Sequence, residues 1–180
     1  MSASFSGGAR GVSAWGVPAE GVTHRIGLIS DTHGLLRPDA MAFLHGSERI
    51  IHGGDIGGPD ILDALRALAP VTAVRGNNDT GAWADRLAQC EWLEVGGVLI
   101  HVVHDLASGD PIPVARGVGA VISGHSHRPE VQERGGVLYV NPGSAGPRRF
   151  RLPISVGELR IAGGAVSARI VTLDRTAKSA

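Results

Sequence analysis

The chain has 180 residues, enough for one domain with a sizeable core and too few for two ordinary ones. Its 17 Lys and Arg balance 17 Asp and Glu with no basic block, which argues against a surface that holds a nucleic-acid backbone or an anionic membrane. One cysteine, Cys90, excludes an internal disulfide and points to a reducing, cytoplasmic setting.

Residues 1–24 are rich in Gly, Ser and Ala, without a long apolar run or a period, and read as a flexible tail. A secretory signal needs about 7–15 apolar residues and a membrane helix about 18 or more, and neither is present. The Arg-bearing, acid-poor start leaves an organellar transit peptide as a minor alternative. From residue 25 to 174 the pattern is that of a single domain, with 175–180 a frayed end.

"RIGLIS" is a strand ending at Asp31, and "PDAMAFLHG" is a helix with proline at its start and glycine at its end. "RIIHGG" is the next strand, ending at Asp55. "GPDILDALRALAP" puts Ile61, Leu62, Leu65 and Leu68 on one apolar helix face before Pro70 stops it. "VTAVRG" is a third strand, ending at Asn77. Beyond it "EWLEVGGVLIHVV", "VQERGGVLYV" and "ELRIAGGAVSARIVTL" each set a Gly-Gly pair between two strand-like runs, the signature of a hairpin with a primed turn. A βαβ half joined to a hairpin half predicts an α/β fold of two sheets, with helices outside at least one.

Side chains able to bind metal fall where strands end: Asp31 and His33 after "GLIS", Asp55 after "IIHGG", Asn77 after "TAVRG", His104 after "VLIHVV", and His125 and His127 after "AVISG". The carboxyl ends of strands form the ligand crevice of open α/β sheets, so these distant segments can meet. Oxygen and imidazole donors without thiolate suit Mn²⁺, Fe²⁺, Co²⁺, Ni²⁺ or Zn²⁺ better than Ca²⁺ or Mg²⁺. They are too many for one ion with an open position. Two ions sharing a carboxylate, about 3.5–4 Å apart, would use them economically.

In order and spacing, "DTH" at Asp31, "GGD" at Gly53, "GNND" at Gly76, His104 and "GHSH" at Gly124 resemble the signature of the calcineurin-like metallophosphoesterases, from Ile26 to about Leu173. The small size and "NPGS" at Asn141 resemble the compact single-domain phosphodiesterases of bacteria and archaea, relatives of the retromer vacuolar-sorting subunit. The resemblance implies a sandwich of two mixed β-sheets flanked by helices. It also implies two divalent ions, Mn²⁺ foremost. Asp31, His33, Asp55 and His127 would hold one, and Asp55, Asn77, His104 and His125 the other, with Asp55 as the bridge.

The activity implied is hydrolysis of a small or nucleotide-like phosphodiester by a metal-bound hydroxide, water's pKa falling from 15.7 to about 7 on zinc. A phosphomonoesterase with the same site, or a scaffold of the retromer-subunit type, are the alternatives. No ligand position is lost, which disfavours the scaffold. No specific nucleic-acid or membrane partner is expected, and a homo-oligomer is compatible with the sequence.

Two positions depart from the family pattern. Asn78 stands where many members carry a histidine able to protonate the leaving group, which implies leaving groups that need little protonation. Asp105 replaces a glycine and is a candidate acceptor behind a ligand. Asn78 and Asp79 are the candidates for residues near the leaving group or supporting the ligands, with Asp79 orienting its neighbours by hydrogen bonds. His52 and His101 are expected to be structural, His101 facing away from His104 because their separation is odd. His24 and His45 read as surface or helix-end residues, "NPGS" as a turn, and "RRF" at Arg148 to Phe150 as ordinary exposed residues.

Overall fold

A computed structural model describes residues 22–107, 117–149 and 151–173. The first half runs β1 (Thr23–Ile29), α1 (Pro38–Leu44), β2 (Arg49–His52), α2 (Pro59–Arg66) and β3 (Val71–Ala73). After a 3₁₀ turn at Ala84–Arg86 come β4 (Cys90–Val95), β5 (Val98–Val103), β6 (Val118–Ile122), β7 (Glu130–Arg134), β8 (Val137–Asn141), β9 (Ser155–Ala162) and β10 (Ala165–Thr172). The expected tails lie outside the described residues, apart from the stretch Val22 to His24. There the expected boundary is corrected: Thr23 and His24 already pair with Ala162 and Ile161 of β9, so the strand starts two residues early.

Two five-stranded sheets form, ordered β10-β9-β1-β2-β3 and β4-β5-β6-β8-β7. β1, β2 and β3 are parallel to one another, as are β5, β6 and β8, while the hairpin strands pair antiparallel. The predicted hairpins are present, and both glycines of each pair have positive φ (56° and 76°, 59° and 80°, 56° and 78°), as a type I′ turn requires. The last hairpin does not join the second sheet, however. It returns to β1 and completes the first.

Between the sheets lies a core of Ile26, Leu28, Ile51, Ile100, Val102, Ile122, Val140, Leu159 and Ile161. On the outer face of the first sheet, Leu44 of α1 and Ile61, Leu62 and Leu65 of α2 pack on Ile29, Ile50 and Val156. Neighbouring Leu28 and Ile29 of β1, and Ile50 and Ile51 of β2, thus bury apolar side chains on opposite faces, and each fully buried aliphatic side chain contributes about 1.5–3 kcal/mol. The layering leaves the carboxyl ends of β1, β2, β3, β5 and β6 free of helices, which is where the polar motifs fall. Among the described residues no helix is long and apolar enough to cross a membrane.

Candidate metal centre

The seven predicted ligands converge in one place, four from loops of the first sheet and three from the second. Backbone bonds register the loops: Asp31 N–H donates to Gly54 O (3.0 Å), His33 N–H to Asp55 O (2.9 Å), and Gly124 N–H to His104 O (2.9 Å). The sheets are stitched at the site itself, where His125 N–H donates to Asp31 Oδ1 (3.2 Å). A side chain at Gly124 would run into Ser30 Oγ and Asp31 Oδ2, and one at Gly76 into the backbone and carboxylate of Asp55. Glycine at these two positions lets the loops close on the ligands.

Backbone strain is concentrated here. Among the described residues the non-glycine residues with positive φ are Asp31 (53°), His33 (46°), Asp55 (54°), His125 (65°) and His127 (57°), and all five are predicted ligands. The left-handed region costs a residue with a Cβ roughly 1–2 kcal/mol, and such strain persists only where the surroundings over-determine it.

The ligand atoms fall into two groups that meet at Asp55. On one side His33 Nε2 lies 3.3 Å from His127 Nε2 and 3.8 Å from Asp55 Oδ2, and His127 Nε2 lies 3.3 Å from Asp31 Oδ1. On the other, Asn77 Oδ1 lies 3.0 Å from His104 Nε2 and 2.9 Å from His125 Nδ1, with Asp55 Oδ1 3.5 Å from His104 Nε2. The two oxygens of Asp55 thus face different histidines. Asp31 also brings an oxygen within 4.8 Å of Asp55 and His104, so both carboxylates sit between the groups.

This donor set fits divalent cations. Asp31 Oδ2 is buried with no hydrogen-bond partner among the described residues. His104 must donate its Nδ1 proton to Gly53 O (2.7 Å), because a carbonyl can only accept. In its neutral form, the one able to ligate, the ring would then turn its Nε2 lone pair toward the oxygens of Asn77 and Asp55, the direction in which a cation would sit.

The neighbouring charges shape the titration of the cluster. Burial raises the Asp55 pKa, but hydrogen bonds with His104 and from the backbone and side chain of Asn78 outweigh it, holding the carboxyl well below the usual carboxylate range. Burial pushes His104 down, yet Asp55 and Gly53 O raise it overall. His33 is lowered, first by burial and then by the charge of Arg149, against the pull of Asp55.

Polar residues beside and behind the ligands hold them in place. Asn78 donates from its backbone (2.8 Å) and its Nδ2 (2.6 Å) to the two oxygens of Asp55. Asp79, 1% exposed, accepts from Ile56 N–H (2.8 Å), Gly57 N–H (2.9 Å) and Gly76 N–H (2.9 Å), so one carboxylate fixes both the loop after Asp55 and the loop before Asn77. His52 accepts at Nδ1 from Gly54 N–H (3.2 Å) and pairs at Nε2 with Thr32 Oγ1 (2.9 Å), the structural role expected. "NPGS" does more than turn the chain: Asn141 Nδ2 donates to Gly124 O (2.6 Å) and Ser144 Oγ to Asp31 O (2.9 Å). A polar residue immediately either side of Pro-Gly is the only signal in the sequence for these roles.

Other predicted residues stay outside the cluster. Asp105 Oδ2 is 3.9 Å from His125 Nε2, beyond hydrogen-bond reach, while its Oδ1 accepts from Ala107 N–H (2.9 Å). His101 faces away from His104 and stacks on Trp92 (centroids 3.9 Å apart). His24 pairs with Glu48 on the surface (2.8 Å), and exposed His45 caps α1. Arg148 reaches Leu152 O (3.4 Å), and Phe150 lies outside the described residues.

Residues 25–164 match the calcineurin-like phosphoesterase superfamily domain. A probable metallophosphoesterase of Methanothermobacter thermautotrophicus is 38% identical over 161 residues, covering 81% of this chain and 91% of the relative. Among solved structures, Vps29 of Chaetomium thermophilum superposes with a TM-score of 0.67 at 21% identity, covering 83% of this chain and 98% of that one. A structure described as a novel archaeal phosphodiesterase gives 0.65 at 23% identity, covering 83% and 99%.

Proposed function

This chain belongs to the calcineurin-like phosphoesterase superfamily, and from that membership we propose that it is a dinuclear metal-dependent phosphodiesterase acting on a small or nucleotide-like phosphodiester. The observation that carries the reading is the buried oxygen of Asp31, without a hydrogen-bond partner among the described residues, inside a cluster of carboxylate, carboxamide and imidazole donors divided about Asp55. Asp31, His33, Asp55 and His127 would hold one divalent ion, and Asp55, Asn77, His104 and His125 the other. Manganese is the ion we assign, and the mixed donors also suit Ni²⁺, Co²⁺, Fe²⁺ and Zn²⁺. Bound there, two such ions neutralise the non-bridging oxygens of the substrate and supply a nucleophile that is deprotonated near neutral pH.

The protein's own groups supply position and access. Gly53 O fixes the tautomer and direction of His104, and the two donors of Asn78 orient the oxygens of Asp55. Asn77, Asn78, His125 and Arg149 are the exposed members of the site, so the substrate approaches from that side, where Arg149 adds positive charge. Asn78 carries no titratable proton, and its amide is engaged by Asp55. A leaving group that departs without protonation, such as an activated diester, fits this better than an alkyl monoester. The free, exposed thiol of Cys90 suits a cytoplasmic setting.

The test is metal analysis of the purified protein together with hydrolysis of bis-aryl and mono-aryl phosphates across Mn²⁺, Ni²⁺, Co²⁺ and Zn²⁺. Two ions per chain and faster turnover of the diester are expected. Asp55→Asn should reduce occupancy of both positions. Faster monoester turnover would convert the assignment to a phosphomonoesterase, and inactivity on both substrates with every ion would remove the enzyme reading.

A further inference from the structure

The outer face of the first sheet carries a second cluster of charge that the metal centre does not use. Cross-strand register aligns Gly27, Glu158 and Arg169 in one row and Arg25, Arg160 and Ser167 in the next. All six face outward, because the alternate residues Ile26, Leu159, Ile161, Val166 and Ala168 pack into the core between the sheets. Glu158 is fully buried at the centre of this grid. Its Oε2 accepts from Arg25 Nε (2.6 Å), and its Oε1 accepts from both Arg160 Nε (2.8 Å) and Arg169 Nε (2.7 Å). Burial opposes ionisation, but the three guanidinium groups prevail and pull the carboxyl down to about 2.

The three arginines are not equivalent. Arg25 is fully engaged by the fold, with Nη1 on His45 O (3.0 Å) and Ser47 Oγ (3.2 Å) and Nη2 on Phe43 O (2.6 Å). The side chains of Arg160 and Arg169 are 54% and 59% exposed, and their Nη groups make no hydrogen bond among the described residues. Two guanidinium groups pinned to one oxygen are held side by side against their mutual repulsion, and one carboxylate leaves the group of four with two positive charges in excess. They border an open pocket of about 310 Å³ lined by Glu158, Arg160, Ser167, Ala168 and Arg169. Paired planar forks with free N–H groups match the geometry of phosphate oxygens, and a dianion balances the excess charge.

We propose that Arg160 and Arg169, held in place by buried Glu158, form a binding site for a small phosphate dianion, either inorganic phosphate or the phosphate of a soluble monoester. Along β1, Arg25 in register with Arg160 and Gly27 in register with Glu158 and Arg169 precede Asp31 by six and four residues, which separates this site from the metal centre by roughly 13–20 Å along the strand. Occupancy is therefore independent of the metal ligands, and the site requires neither metal nor turnover.

Titration calorimetry at low salt, with inorganic phosphate and separately with glycerol 3-phosphate, tests this on the full-length metal-loaded protein. The wild type, Asp55→Asn and Arg160→Gln/Arg169→Gln are compared, with diester hydrolysis as the check that the double variant is folded. One phosphate site should persist in Asp55→Asn and weaken about tenfold or more in the double variant, whose hydrolysis is unchanged. If the double variant does not fold, each single variant should still weaken binding by about threefold or more. Phosphate binding that is equal in wild type and arginine variants, or that vanishes with Asp55→Asn alone, overturns the proposal. Stronger binding of glycerol 3-phosphate than of phosphate identifies the monoester as the ligand, and equal binding identifies the dianion itself; both outcomes support the site.

Discussion

Replacing Asp79 by asparagine should loosen the metal centre without touching a ligand. The carboxylate accepts three backbone N–H bonds of 2.8, 2.9 and 2.9 Å at a position 1% exposed, so water cannot substitute for a lost bond. An asparagine can keep its carbonyl oxygen on Ile56 and Gly57, but its NH₂ then confronts Gly76 N–H, donor against donor. A hydrogen bond to a charged group is worth about 1.5–3 kcal/mol, and a buried donor left unpaired costs about 1–3 kcal/mol. These overlap, so Asp79→Asn should destabilise the protein by about 2–4 kcal/mol. Because Gly76 leads into Asn77 and Ile56 follows Asp55, both ligand loops are freed, and metal affinity should fall about 10–100-fold. Urea unfolding with chelator present gives the first quantity, and calorimetric titration with Mn²⁺ the second. A stability change under about 0.5 kcal/mol with unaltered Mn²⁺ affinity would refute the claim that this carboxylate holds the two loops.

The strain at the ligands can be isolated at His125, whose side chain is 46% exposed and whose φ is 65°. In chelated protein His125→Gly should be more stable than His125→Ala by about 0.5–1 kcal/mol, since glycine escapes the left-handed penalty but gains freedom when unfolded; an equal or more stable alanine variant would contradict the strain account. His52 is buried with its pKa lowered from 6.5 to about 4, so below pH 6.5 the unfolded chain binds a proton that the native state refuses. Stability should fall from pH 6.5 to about 4 and then level, by roughly 3 kcal/mol from this group. Chemical denaturation of His52→Gln should show that much less pH dependence over the window, and an unchanged slope would count against it. Asn78→His places a titratable donor beside Asp55 and should raise monoester turnover relative to diester turnover, with a bell-shaped pH profile in place of a single limb.

Much of the centre was legible because strand ends and glycine-marked turns are local features. Asp31, Asp55, Asn77, His104 and His125 each close an apolar run or follow it directly, and parallel β1, β2, β3, β5 and β6 end at the same edge. In the sequence Asn141 and Ser144 show only a turn, because their partners, Gly124 O and Asp31 O, are 17 and 113 residues away. Asp105 is expected from the sequence to support a ligand, and its Oδ2 lies at ion-pair distance from His125 Nε2 (3.9 Å) while its Oδ1 accepts from Ala107 N–H in its own turn.

Local chemistry fixed what the sequence by itself determined: the helices between prolines and glycines, the I′ hairpins at Gly-Gly pairs, and the divalent-metal character of the donors. Tertiary structure decided what depends on strand pairing. The last hairpin joined the first sheet because β1 had an edge to fill, and only that pairing sets Glu158 of β9 between Arg25 of β1 and Arg169 of β10. The left-handed ligands are likewise a tertiary result, since five such residues gathered at one site carry a conformational cost that the surrounding loops must offset.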